Sequence, residues 1–186
     1  MAEPDQEFEH LLDAMKKAAG VLREADVPFV LGGGLACWAR GAPKTEHDVD
    51  FLVRPEDAER AQQALAHAGM RTENPPEGWL LKAYDDRVLI DLIFEPQGGP
   101  IDGEIFERAE DLEVYATRLK VAALEDVLVQ KLLALSEQQP DYSSVLELAR
   151  SLREQVDWNE VRERTQASPF AAAFFTLLDE LEIVQK

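Results

Sequence analysis

Apolar residues recur at helical spacing from the start of the chain. Phe8, Leu11, Leu12, Met15, Ala19 and Leu22 fall on one face and predict an amphipathic helix over residues 5–25. The pattern then shortens. Pro28-Phe29-Val30-Leu31 reads as a short buried strand, ended by Gly32-Gly33-Gly34, with a helix over residues 35–40 closed by Gly41. Over residues 48–53 acidic and apolar positions alternate, which is the period of a strand: Val49, Phe51 and Val53 share one face, Asp48 and Asp50 the other. Pro55 at a first helical position, Glu56 and Asp57 at the positive end of the dipole, and Gly69 after the last turn predict a helix over 55–68. Residues 79–84 and 88–94 predict paired strands around a tight Asp85-Asp86 turn. The Pro- and Gly-rich stretch 95–104 predicts a loop, and Val114-Tyr115 and residues 119–121 predict short edge strands. From Leu124 onward the period is helical. Asp157 with Glu160 fits a capping arrangement, and Ser168-Pro169 fits a cap followed by a first-turn proline. The pattern divides the chain into a mixed α+β part, residues 1–122, and a helical part, residues 123–186.

Composition narrows the class. A chain of 186 residues, 46% apolar and 30% charged, is globular and long enough to bury a core unaided. Its net charge of −18 argues against a protein that coats duplex nucleic acid, because such binding draws on Lys and Arg. The single cysteine, Cys37, allows no internal disulfide and is expected in the core, which fits a reducing cytoplasm. The acidic N-terminus lacks an apolar signal core, and no apolar run approaches the ~18 residues of a membrane span.

The chemistry concentrates at three acids. Two carboxylates on one strand face repel and shift one another's pKa, so the pair calls for a counter-charge. The usual one for hard oxygen ligands is Mg²⁺, which keeps positions for water and substrate phosphate. Asp91 stands in the apolar run Val88-Leu89-Ile90-Asp91-Leu92-Ile93-Phe94, where an uncompensated charge would cost several kcal/mol. Asp48, Asp50 and Asp91 together could hold cations for in-line phosphoryl displacement. The glycine turn upstream offers backbone N–H groups to phosphate. Lys131 falls inside the apolar stripe Leu124, Val127, Leu128, Leu132, Leu135, so it points into the protein, into a cleft, or snorkels to solvent.

The order Gly33-Gly34, Asp48-x-Asp50 and a later strand Asp91 resembles the DNA polymerase β-type nucleotidyltransferase superfamily. The resemblance implies an α+β fold, with a small mixed twisted sheet flanked by helices, a helical C-terminal part packed on that core, and NTP and Mg²⁺ or Mn²⁺ at the sheet's edge. Asp48, Asp50 and Asp91 match its metal-binding acids. Glu125-Asp126-Val127-Leu128-Val129-Gln130-Lys131-Leu132-Leu133-Ala134, followed by Pro140-Asp141-Tyr142, is similar to later motifs of the AbiEii/MenT-like branch, the toxin nucleotidyltransferases of bacterial toxin–antitoxin pairs. The segment from Leu152 to Arg162, with Ser168-Pro169-Phe170, resembles small actinobacterial members of that branch. Residues 27–182 carry the likeness.

It implies catalysis by Asp48, Asp50, Asp91 and Lys131, and nucleotide binding by Gly33, Gly34, Lys44, Lys131 and Asp141. The implied reaction moves an NMP from NTP to an acceptor, the tRNA 3′ end first, in the cytoplasm and with a cognate antitoxin as partner. The alternatives are a protein or small-molecule hydroxyl as acceptor, or a nucleotide-binding module without turnover. Arg40, Arg54, Arg87, Arg118 and Lys120 are candidates for a local basic track. The sequence departs from the family pattern in three places. Lys44-Thr45 stands where the family often has Arg and Thr, with one extra residue before Asp48; a Lys is a point charge rather than a bidentate fork. The Ser that often follows the first glycine is absent. Beyond Asp141, Ser143-Ser144 replaces a second Asp. Asp141 equally suits a plain helix cap. His47 is expected in an exposed loop, and Trp79, Trp158, Phe170, Phe174 and Phe175 are expected to be packing residues.

Overall fold

The computed structural model describes residues 4–45 and 48–184; His47, expected in a loop, lies outside them. The first helix, α1 (Pro4–Glu24), buries the predicted face from Phe8 to Leu22. Strand β1 (Val30–Leu31) follows, then helix α2 (Gly33–Trp38), strand β2 (Asp48–Leu52), helix α3 (Pro55–His67) and strands β3 (Arg71–Glu73), β4 (Leu80–Asp85) and β5 (Val88–Ile93). Helix α4 (Gly103–Arg108) leads to the hairpin β6 (Glu110–Val114) and β7 (Thr117–Val121). Helices α5 (Leu124–Ala134), α6 (Ser143–Leu152), α7 (Trp158–Arg164) and α8 (Pro169–Glu180) complete the chain. Among the described residues no helix is long and apolar enough to cross a membrane.

The seven strands form one mixed sheet in the order β3-β4-β5-β2-β1-β7-β6. β2 and β5 run parallel in the register Val49↔Ile90, Asp50↔Asp91 and Phe51↔Leu92. That register sorts the two faces. Val49, Phe51, Ile90 and Leu92 are fully buried in the main core, on the side where α1 and α3 contact these strands. Asp48, Asp50 and Asp91 face the other way.

Three expectations need correction. The stretch after residue 102 is not loop: Asp102 accepts backbone N–H bonds from Glu104 and Ile105 and starts α4. β7 is not an edge strand, because it also pairs with β1 in parallel; β6 is the edge. Its tight turn is made by Tyr115 and Ala116, both at positive φ, the geometry a two-residue hairpin turn demands. The Asp157 cap of α7 accepts from Asn159 and Glu160 N–H as expected, but Glu160 pairs with Arg164, and Glu125 takes the Asp157 N–H instead. Ser168 caps α8 through Ala171 N–H.

Helix α5 joins the sheet to the C-terminal helices. Leu124 and Val127 belong to the main core; Leu128, Val129 and Leu132 belong to a second cluster with Phe174, Phe175 and Leu178 of α8. Trp158 packs at the edge of that cluster. A buried charge fixes the helix laterally. Asp126, 1% exposed, accepts from Arg108 Nε and an Arg108 terminal nitrogen at 3.1 and 2.9 Å, and from Arg164 at 2.6 Å. The network ties α4, α5 and α7 together. Removing the acid takes the shared buried partner from two guanidinium groups, leaving them only Glu104 and Glu160, and breaking such a pair costs several kcal/mol. Both arginines are about a third exposed, so the low end applies. Asp126→Ala is expected to lose about 3 kcal/mol, read as a fall of roughly 6–12 °C in Tm in a thermal melt. An unchanged Tm would mean the network is not holding the helices.

Candidate active site

The site is built where β1 ends. Gly32 N–H continues the ladder to the Asp50 carbonyl at 2.9 Å, so the glycine turn is held directly beside β2. Gly33 then takes φ +54, a left-handed conformation that lets the chain enter α2 at once. The approach to β2 is extreme: a Cβ on Gly33 would sit 1.6 Å from Asp50 Oδ2 and 2.6 Å from its Cγ. Gly34 is equally confined, since a Cβ there would lie 2.6 Å from Thr45 Oγ1. Asp50 thus bars a side chain at position 33, and Thr45 bars one at position 34.

The parallel register places Asp91 beside Asp50, and the two-residue period places Asp48 on the same face. Ligand oxygens of Asp48, Asp50 and Asp91 all lie within 4.8 Å of one another. Burial pushes the Asp50 carboxyl up to about 7; Asp48 adds to the rise, and Lys131 opposes it. Asp91 is raised by burial, and Lys82 opposes that rise. Three hard oxygen donors so close to one another fit a divalent cation, which offsets the burial and the mutual repulsion of their charges.

The acids open into a cavity of about 540 Å³ between the sheet and α5. Gly33 lines it, and so does Lys131, with Val127 and Gln130 of the same helix. Lys131 points into the cleft rather than snorkelling to bulk water. Trp79 is a correction. It is 38% exposed and stands in the cavity wall, not in the core, because it precedes β4 and only its carbonyl is fixed, by Phe94 and Glu95 N–H. Cys37 is fully buried, and burial raises its thiol to about 11.

Other sequence candidates lie elsewhere. Lys44 Nζ sits 5.3 Å over the Phe8 ring. Asp141 precedes the N-cap residue of α6, Tyr142, and accepts the Ser143 N–H at 2.9 Å; it lines a different hollow, of about 730 Å³, with Pro43 and Arg150. That hollow is the larger, but it holds none of the three acids. Arg40 is used by the fold, donating to the Ala36 carbonyl. Arg54 stacks on Phe106, Arg87 approaches Glu7, and Lys120 pairs with Asp111. None of these residues, nor Arg118, lines the cavity.

The residue that the sequence reading passed over is Lys82. It stands directly opposite Asp91 on β4, with Nζ 3.3 Å from Asp91 Oδ1. The signal was the hairpin register. A turn centred on Asp85-Asp86 would bring Leu80 opposite Asp91; the strands turn on Asp86 and Arg87 instead, with Asp86 at φ +51.

Comparison with known proteins places the chain in a family and its fold among solved structures. A family model described as "Uncharacterised nucleotidyltransferase" matches residues 7–181. No curated protein sequence matches significantly. Among solved structures, the chain is similar to ANT(2″)-Ia in complex with adenylyl-2″-tobramycin, at 14% identity and TM-score 0.67, covering 88% of this chain and 98% of that one. A solution structure of the antibiotic-resistance factor ANT(2″)-Ia aligns with TM-score 0.65 at 14% identity, over 92% and 96% of the two chains. An antigenic nucleotidyltransferase-like protein from Paracoccidioides brasiliensis aligns with TM-score 0.52 at 14% identity, over 92% and 93%. The mixed sheet flanked by helices is thus the polymerase β-type nucleotidyltransferase fold.

Proposed function

Because this chain belongs to the uncharacterised nucleotidyltransferase family, we propose that it moves a nucleoside monophosphate from an NTP to an acceptor hydroxyl, with Mg²⁺ or Mn²⁺ held by Asp48, Asp50 and Asp91. The observation that carries this reading is the meeting of the three carboxylates against a turn that tolerates no Cβ. The cation, when bound, supplies Lewis-acid polarisation of the phosphate and neutralises developing charge. The protein supplies the rest. Gly33, which lines the cavity, offers its bare backbone to the triphosphate, with Gly34 next to it in the turn. Lys131, projecting from α5 into the cleft, neutralises phosphate charge. Asp91, which lines the cavity with Trp79 and Ile93, accepts the acceptor hydroxyl's proton as the new O–P bond forms and the bond to pyrophosphate breaks. Lys44 and Asp141 stay candidates for nucleotide contact only if their segments move toward the cavity.

Two acceptors are proposed. The motif around Lys131 and Asp141 supports the tRNA 3′ end, with a toxin role, an antitoxin partner and a cytoplasmic setting. The geometry favours the other, a small cationic molecule bearing a hydroxyl. The chain carries −18, and Lys131 is the sole Lys or Arg among the described residues lining the cavity, so bulk RNA finds little to neutralise its phosphates. The likeness to a protein seen with adenylyl-2″-tobramycin supports the same choice.

α-Labelled NTPs incubated separately with total tRNA and with tobramycin test both. The expected outcome is transfer to a small cationic acceptor, lost at least about 10³-fold in Asp48→Ala, as when a group acting only in the transition state is removed. Transfer that survives Asp48→Ala would sink the site assignment. Label on tRNA alone would select the toxin reading, and NTP binding without turnover on any acceptor would leave a binding module.

A further inference from the structure

The triad carries three potential negative charges and meets two lysines, on different elements. Lys131 reaches in from the cavity wall. Lys82 comes from the sheet and is not part of that wall. Its position follows from the ladder. β4 and β5 pair Lys82 directly with Asp91, and direct cross-strand partners hold their Cβ atoms about 5 Å apart. A lysine side chain is longer than that gap. It must fold along Asp91, and it does: Nζ lies 3.3 Å from Oδ1, with the Lys82 side chain 23% and the Asp91 side chain 11% exposed. A largely buried lysine thus bonds one oxygen of a carboxylate whose charge a cation would also use.

We propose that Lys82 is a positioning residue that competes with the divalent cation for Asp91. The proposal rests on the reading that Asp48, Asp50 and Asp91 hold that cation. In the nucleotide-free protein Lys82 keeps Asp91 aimed at the other two acids and makes the third ligand expensive for a metal to claim. Lys82 also keeps Asp91 from being drawn wholly onto the cation, where its oxygen would no longer be free to take the acceptor's proton.

The test is a Mn²⁺ titration of the full chain without nucleotide, followed by electron paramagnetic resonance or calorimetry. Lys82→Met, and Lys82→Gln as a polar alternative should the first fold poorly, are expected to bind Mn²⁺ at least fivefold tighter than wild type. Lys82→Arg, which keeps the charge, stays within twofold. In turnover, kcat of the neutral variants falls at least tenfold while KM for NTP holds within twofold. Unchanged or weaker Mn²⁺ binding in the neutral variants overturns the proposal. So does a rise in KM for NTP with kcat intact, which would make Lys82 a phosphate contact. Asp48→Ala separates the two readings. If it binds Mn²⁺ as well as wild type, the cation site itself is wrong; if it loses Mn²⁺ and the Lys82 variants do not tighten, only the role of Lys82 fails.

Discussion

Alanine at position 33 abolishes nucleotide transfer while leaving the chain folded. The new Cβ would lie 1.6 Å from Asp50 Oδ2, far inside contact distance, and Asp50 cannot retreat without leaving the triad. The residue also sits at φ +54, where an L side chain costs about 1–2 kcal/mol. The cheapest escape is rotation of the Asp50 carboxylate away from Asp48 and Asp91. A displacement of about 1 Å in a catalytic constellation costs about 10²-fold, and losing a ligand costs more, so kcat/KM is expected to fall at least about 10³-fold. Label transfer by Gly33→Ala, with circular dichroism to confirm folding, checks this. Gly41→Ala is the control. Gly41 also has positive φ, +100, but a Cβ there meets nothing within 4 Å. It strains the backbone without touching the acids, and its activity should stay within a few-fold of wild type. If Gly33→Ala retains a tenth of the activity, the turn does not shape the site.

This contact joins two features that stand seventeen residues apart in the chain and were both visible in it. The alternation over residues 48–53 specified which face the acids take, because the strand period is a local property. Asp91 was legible because an acid inside so apolar a run is a local contradiction, and such contradictions collect at functional sites. Lys131 was legible by its place within an apolar helical stripe. Each of these readings uses only residues within one element.

What the sequence hid depends on pairing between elements. Lys82 looks like an ordinary strand lysine until the hairpin register is known, and shifting the turn by one residue moves the register by two. Asp126 reads as a first-turn acid favoured by the helix dipole; its two arginine partners are 18 and 38 residues away. Trp79 has the composition of a core residue, and only its place before β4 leaves it in the cavity wall. Asp141 matched a motif, yet its carboxylate is taken by the Ser143 N–H at the start of α6. Helix α4 was missed because six residues are too few for a helical period to show, although Asp102 had the chemistry of a cap.

Asp50→Asn separates what the triad does for the fold from what it does for the reaction. Asn has nearly the shape of Asp but no charge, so it should abolish transfer, by at least about 10³-fold, while stabilising the metal-free protein. The stabilising half follows from the raised carboxyl. Burial first, and then Asp48, push Asp50 from the ordinary 3.8 to about 7. A group that holds its proton more tightly when folded adds stability below the ordinary carboxylate range. That stability is lost as pH rises through about 7. Wild type in chelator is therefore least stable at the alkaline end, where Asp50 is ionised beside Asp48 and Asp91. Solvent still reaches the site, so the loss between pH 5 and pH 8 is on the order of 2 kcal/mol, or about 4–8 °C in Tm. Melts of both proteins in chelator should show the wild-type Tm falling across that range and the Asn variant following a flatter course, with the higher Tm at pH 8. Equal slopes would mean that Asp50 titrates normally. A divalent cation should reverse the order, raising the wild-type Tm at pH 8 and leaving the variant nearly unmoved, because only the ionised carboxylate gains by binding it.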